Sequence, residues 1–427
     1  MWTGRQLLHR QLIIASLFIS PAVSAMTLEE AWQQATQHSY RIQASKSQSL
    51  AAEQQLSSAK GQRLPSLNIS GGYTQLSETP SAETQIGGQT ARFPINQPGS
   101  GNAQAIISVP VFTSGRISHQ IDSAKASLKA SQQQLSTTVL DVRLQVAQAY
   151  INVLRAEAAV KVAENHVASL NAHVEDVSNL FEQGMVARND LLAAQVERAN
   201  ARQQVVQAKN QLDLAKAQFN QLLTRPLNEP VELSEQFPPA PGESLEALTE
   251  TAYSKRPELV LLSHQIESLR LQAKSIKSGL LPQVAVNGGY QYQQNRYQAF
   301  EGMWMVNANM NWKLFDGSTR HQAASIQQQA NALEQQKHDL RNQISLQVRQ
   351  AWLDMQEAQK RIKVTRSAIT QAEENLNVTT DRYQQGLSIQ TDVLKAEELR
   401  TLTINSYNNA RFDYQLAVVR LRRSTGL

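Results

Sequence analysis

Residues 116–183 contain no proline. From Leu135 onward, apolar side chains recur there at steps of four, three, four and three: Val139, Val142, Val146, Ala149, Val153, Ala156, Val160, Ala163, Val167, Leu170, Val174, Val177 and Phe181. A 3.5-residue period keeps one stripe against a partner only if the helices wind around each other left-handedly. As a single helix the stretch reaches ~100 Å at about 1.5 Å per residue, far more than a globular domain needs. A second seam, Leu140, Leu144, Ala147, Ile151, Leu154 and Ala158, marks the upper part of this helix. Two seams require neighbours on both sides, which every member of a ring of helices has. Leu191, Ala194, Ala201, Val205, Ala208, Leu212, Ala215, Phe219 and Leu222 form a returning seam, broken by Arg198. Arg198 is expected to snorkel or to make an interhelical ion pair.

The pattern is written twice. "LPSLNISGGYTQ" at 64–75 is matched by "LPQVAVNGGYQY" at 281–292, and Leu28-Glu29-Glu30-Ala31 falls on Leu245-Glu246-Ala247-Leu248 at the same offset of 217. "QVAQAY" (145–150) matches "QVRQAW" (347–352), and "FEQGMVARNDLL" (181–192) matches "YQQGLSIQTDVL" (383–394), both at an offset of 202. The seam recurs through Ile344, Val348, Ala351, Met355, Ala358 and Ile362, and Arg400 is the counterpart of Arg198. Such a whole-chain duplication makes each half one structural unit. The first half is longer by the Ser/Gly/Pro-rich stretch 77–101, expected to be a loop. The expected organisation is a first repeat at 26–223 and a second at 245–427. The first holds a helix, strands near 66–76 and 103–112, and a helical hairpin at 116–223. The second holds a helix, strands near 283–293 and 303–314, and a helical hairpin at 318–424. Between them, 224–244 carries Pro226, Pro230, Pro238, Pro239 and Pro241, which forbid a continuous helix. It reads as a linker with room for a short strand at 231–233.

The strands alternate with period two. Leu67, Ile69, Gly71 and Tyr73 share a face; so do Ala105, Ile107, Val109 and Val111; so do Val284, Val286, Gly288, Tyr290 and Tyr292. Trp304, Val306, Ala308, Met310, Trp312 and Leu314 complete the set, opposite Asn307, Asn309 and Asn311. Lengths of about 9–11 residues suffice to cross a bilayer as tilted strands. The apolar faces end in Tyr73, Tyr290, Tyr292, Trp304 and Trp312, as lipid-facing strands do. Four strands do not close a membrane barrel, for which about eight is the minimum, and open edges do not sit in lipid. Membrane-spanning strands therefore require several copies to share one barrel; three give twelve strands.

The first 25 residues combine Arg5, His9 and Arg10, the apolar run "LIIASLFIS" and the small triplet Val23-Ser24-Ala25, the layout of a secretory signal peptide cleaved after Ala25. Its loss takes Arg5 and Arg10 and no acid, so the net charge of +5 becomes +3. That balance, without a basic cluster interleaved with aromatics, argues against nucleic acid. The absence of cysteine excludes disulfides, thiolate metal sites and an N-terminal lipidated cysteine. The eight histidines are scattered, with His119 and His321 as repeat equivalents. No phosphate loop and no nucleophile paired with a base stands out, so neither an enzyme, a cofactor nor a metal site is expected. A periplasmic coiled-coil adaptor or scaffold is the alternative reading, but it leaves the four strands unexplained.

The signal peptide, the duplicated strand-plus-helical-hairpin unit, the Gly turns and the terminal "LRRSTGL" together resemble the TolC-like outer membrane efflux family. The resemblance covers essentially the whole mature chain. It implies a mixed α and β membrane protein: a homotrimer with a shared twelve-stranded barrel in outer membrane lipid. Long coiled-coil helices then form a periplasmic tunnel, closed at its inner end until a periplasmic adaptor and an inner-membrane transporter engage it. Pro65 and Pro282 would end the helices entering the barrel, and the paired glycines would allow close backbone approach.

The same resemblance assigns the closed end to the two helix turns. Gly184, Met185, Val186 and Ala187, with Gly386, Leu387 and Ser388, become the tips that dock the adaptor. Asp392 matches an acidic ring that narrows the pore, where three like charges would attract cations and raise one another's pKa. A second Asp is found one turn later in the family; here Lys395 stands there and is placed to pair with Asp392 at i, i+3. Tyr383 and Asp190 match positions that tie the mobile second hairpin to the first, and Ser388 replaces an Arg tie. The implied gate has few polar restraints, and Tyr383→Phe is expected to raise conductance.

Overall fold

The structure is a computed structural model that describes residues 25–427. The expected signal peptide lies, Ala25 apart, outside the described residues. The described residues run through eight helices and six strands, and the duplication is visible element by element. Helices α1 (Leu28–His38) and α2 (Tyr40–Gly61) are answered by α5 (Leu245–Lys255) and α6 (Pro257–Ser278), with the same lengths and the same offset of 217. The long helices α3 (Arg116–Glu182) and α7 (Gly317–Gln384) have 67 and 68 residues. The returning helices α4 (Arg188–Leu222) and α8 (Gln390–Ser424) have 35 each.

Where the sequence suggested one helix before each strand, there are two. The breaks fall at Ser39 and Arg256, both extended in backbone. Pro257 at the first turn of α6 enforces the second break, because its ring fits a helix start and not a helix interior. Thr27 and Glu30 cap α1 reciprocally, and Asp316 caps α7 by accepting from the backbone N–H groups of Ser318 and Thr319.

Four strands form one antiparallel sheet in the order β1-β4-β5-β6. They are β1 (Ser66–Gln75), β4 (Gly99–Phe112), β5 (Gln283–Gln293) and β6 (Gly302–Asn311). Between β1 and β4 the expected loop is in fact a second hairpin, β2 (Ser81–Ile86) and β3 (Gln89–Pro94). Gly87 and Gly88 supply its turn, both at positive φ. In 224–244 no strand forms; Leu233 makes a single bridge to Met26. Trp312 and Leu314 lie just past β6.

The largest core sits mid-length on α3, where both seams are used: Val142, Val146, Ala149 and Val153 from one, Ala147, Ile151 and Leu154 from the other. Leu28 of α1, Phe219 of α4 and Phe412 of α8 close around them. Tyr150 is fully buried, and its one hydroxyl proton is shared between the carbonyl oxygens of Met26 and Ser234, stapling the segment before α1 and the segment 224–244 to α3. Burial pushes that phenol up to about 12. The second repeat has its own core of Leu248, Ala252, Ile344, Val348, Val418 and Leu421. No helix among the described residues is long and apolar enough to cross a membrane.

Candidate functional site

Two places carry the chemistry: the sheet, and the tips where the long helices turn.

The register of the sheet sorts its residues cleanly. On one face Leu67 stands beside Ile107, Ile107 beside Gly288 and Gly288 beside Val306. On the same face Ile69, Ala105, Tyr290 and Trp304 form a row across all four strands. The opposite face carries Ser70, Gln104 and Gln291 in one row, and Asn287 and Asn307 joined at 3.0 Å in another. The apolar face is open: Trp304 and Val306 are 81% and 82% exposed. Tyr290 and Trp304 pack edge to face at 5.4 Å, an arrangement that favours aromatic pairs beyond the area they bury. Tyr73 is exposed beside Gly101, and Tyr292 donates to Glu301 at 3.0 Å at the rim. Of the paired glycines, one is compelled by space. A Cβ at Gly289 would lie 2.1 Å from the Ala105 carbonyl oxygen, whereas at Gly288 its nearest neighbour would be 3.7 Å away.

β1 and β6 are the edges of the sheet. Each presents unpaired backbone groups beside an apolar face, and in lipid such groups have no water to turn to.

At the other end, α3 and α7 finish in the same way. Gly184 and Gly386 adopt left-handed φ of 74° and 72°, which a glycine takes without steric cost. The following amides, Met185 and Leu387, bond back to the carbonyls of Leu180 and Arg382. The turns thereby thrust Met185 and Leu387 outward, 63% and 64% exposed, with Ile389 beside them. Val186 is half-buried and Ala187 exposed.

Between the two turns is a cleft of about 480 Å³, lined by Leu180, Val186, Asp190, Tyr383, Ser388 and Gln390 among others. Beneath it Val177, Leu376, Tyr383, Val393 and Ala396 form a small core that joins α3 to α7 and α8. The structure thus brings Tyr383 and Asp190 to one cleft. The tie between them is not formed: the Tyr383 hydroxyl is buried without a hydrogen-bond partner among the described residues. Burial, and then the nearby Asp190 charge, push its ionisation upward.

Asp392 is exposed in the first turn of α8, and its partner is Ser388, whose hydroxyl donates to it at 2.9 Å. Lys395 makes no ion pair among the described residues, so the i, i+3 pairing with Asp392 is absent. Arg400 bonds Glu397 on its own helix at 2.7 Å rather than a residue across the helix pair.

Three tip residues escaped the sequence reading. Gln390 is 5% exposed with both amide atoms unpartnered, Glu397 is 3% exposed, and His173 is 9% exposed with its ring 5.9 Å from that of Tyr383. His173 and His166, seven residues apart, are buried on α3 together with Val162. Continued at its four-three spacing the second seam passes through 161, 165, 168 and 172, one residue short of Val162, His166 and His173, so spacing alone does not pick them out.

Comparison with known proteins matches this architecture. The family model for outer membrane efflux proteins matches residues 31–225 and 248–427. The outer membrane protein TolC of Vibrio cholerae is 23% identical over 426 residues, covering 96% of this chain and 92% of TolC. The alkaline protease secretion protein AprF of Pseudomonas aeruginosa is also 23% identical, over 302 residues, 67% of this chain and 62% of AprF. Among solved structures, the outer-membrane channel OprN superposes with a TM-score of 0.78 at 18% identity, covering 93% of this chain and 89% of OprN. VceC of Vibrio cholerae gives 0.77 at 18%, covering 93% and 96%. With the model matching both repeats and the fold matching nearly end to end, the chain belongs to the outer membrane efflux protein family.

Proposed function

We propose that three copies of this chain join β1 of one to β6 of the next. The product is a twelve-stranded barrel in outer membrane lipid above a periplasmic tunnel of α3, α4, α7 and α8. The tunnel carries cargo from an inner-membrane transporter and a periplasmic adaptor to the exterior, and the protein acts as a conduit without catalysis. One observation carries the reading: a four-stranded sheet with one continuous apolar face and two open edges. Lipid outside, the Asn- and Gln-bearing face inside and a copy on each edge satisfy all of it at once.

The tips are then the gate. Met185, Val186, Ala187, Leu387 and Ser388, set out by Gly184 and Gly386, dock the adaptor, and Asp392 with Lys395 lines the constriction. Tyr383 and Asp190 sit where the second hairpin leaves the first. Photo-crosslinking from Met185 or Leu387 in intact cells tests this: an adaptor should be captured there and not from exposed Leu214, far from the turns. Equal capture from all three positions would reject the assignment.

A further inference from the structure

Near the tips the two repeats meet through α3 on one side and α7 and α8 on the other, and there the packing buries polar atoms without partners. His173 Nε2 has none among the described residues. One carboxylate oxygen of Glu397 takes Arg400 at 2.7 Å, while its other oxygen and Arg400 Nε have none. These three residues, with Asp176 and Asp381, line a cavity of about 490 Å³. The His173 ring packs on Tyr383, in the small core that holds the second hairpin to α3.

We infer that His173 is a proton-operated latch: as a neutral imidazole it seats the α7–α8 hairpin against α3, and as an imidazolium it releases it. The inference rests on the tips being the gate and names what regulates them. The charged and titratable groups around His173 are few. On α3 they are Asp176 and, one heptad earlier, buried His166; on α7, Asp381 and Tyr383; on α8, Glu397 and Arg400. On α4 at the same height stand Glu197, Arg198 and Arg202, the last reaching Asn171 at 3.5 Å.

Glu397 is already matched by Arg400. Asp176 and Asp381 are exposed at the rim, where water and salt screen them. An imidazolium buried against the Tyr383 ring therefore loses more from leaving water than it gains. In keeping with this, burial holds His173 below the ordinary histidine value, against a weaker upward pull from Asp176.

The sign follows from linkage. A group that takes a proton less readily when seated than when released favours the seated state above its ordinary pKa. That preference fades as pH falls through the ordinary value, about 6.5, towards the depressed one. Over that window the seated-to-released ratio drops by up to about tenfold per pH unit in each copy.

Because the chain has no cysteine, nitroxide labels can be placed at Val186→Cys and Leu387→Cys in the full trimer. Tip separation is read by pulsed electron paramagnetic resonance and conductance in planar bilayers, from about pH 7.5 to 5.5, a range that brackets histidine titration. The parent should show longer tip distances and several-fold higher conductance in acid. His173→Gln should show neither, and His173→Phe, which also packs on Tyr383 and never charges, serves if the glutamine variant fails to assemble. Distances that widen equally in the uncharged variant, or that do not move in the parent, overturn the latch. Distances that move only when His173 is present while conductance stays flat leave the latch standing and reject the tips as the gate.

Discussion

Arg423 on the last helix donates to Asp141 on the first long helix at 2.7 Å, closing a loop of 282 residues. The same guanidinium reaches Glu258 on α6 at 2.6 Å, and Arg256 meets Glu258 at 2.9 Å. This network ties the C-terminal helix to both repeats. Arg423 and Glu258 are only 13% and 17% exposed at their side chains, so removing one partner strands charge in a poorly solvated place. Arg423→Leu is expected to destabilise the assembly by about 3 kcal/mol, within the range for breaking a buried pair. The midpoint temperature for loss of the trimer on unheated gels should fall accordingly.

Glu258 gives this network a pH dependence. Burial raises the carboxyl, but hydrogen bonds and charges from Arg256 and Arg423 outweigh it and bring it down to about 2. A depressed carboxylate stabilises the folded state above its ordinary pKa, and that contribution is lost as pH falls from there towards about 2. Thermal melts should therefore converge for the parent and Glu258→Gln in strong acid, draw apart as pH rises from about 2, and be fully separated above the ordinary glutamate value of about 4.5.

Tyr383 separates packing from hydrogen bonding at the helix tips. Its hydroxyl is buried and unpartnered, so Tyr383→Phe removes a desolvated polar group and leaves the ring. The closed conductance should stay at the parent value, contrary to what a polar tie to Asp190 would give. Tyr383→Ala removes the ring that Val177, Leu376 and Val393 pack around, at about 3 kcal/mol. The closed conductance of that variant should rise.

The two glycines of the second Gly-Gly-Tyr should respond differently. Gly289→Ala drives a methyl into the Ala105 backbone and should abolish barrel assembly, whereas Gly288→Ala meets Val306 at an ordinary distance and should insert normally. Heat-modifiable mobility in outer membrane fractions reads both.

Much of this was legible because periodicity records what a face touches. The two seams of α3 predicted neighbours on both sides, and Val146 and Ile151 are indeed both buried. The alternation at Tyr290 and Trp304 predicted one shared face, which the register confirms. What was missed is local or compensated. The β2–β3 hairpin hid in a Ser/Gly/Pro-rich stretch, although Gly87-Gly88 is a strong hairpin turn. The break at Ser39 has no proline of its own, and only its repeat equivalent at Pro257 announces it. The partners of Asp392 and Arg400 were decided by rotamers, which spacing along a helix does not specify: Asp392 takes Ser388 and not Lys395, and Arg400 takes Glu397 on its own helix.

The sheet's two faces set a further contrast. Val306→Arg puts a charge on the apolar face and should cost about 2–4 kcal/mol per copy near mid-membrane. Asn307→Arg, on the polar face next in sequence, should insert and alter ion selectivity instead. Outer membrane yield and reversal potential measure the two effects.

The central claim is that lipid-exposed strand edges force copies to share a barrel. Native mass spectrometry of the mature protein extracted in mild detergent tests it most directly, combined with a disulfide engineered between β1 of one copy and β6 of another. The account predicts a species of three chains with a covalent ladder that ends at the trimer. A single-chain mass, with β1 and β6 uncrosslinked and the protein released from membranes without detergent, would contradict it.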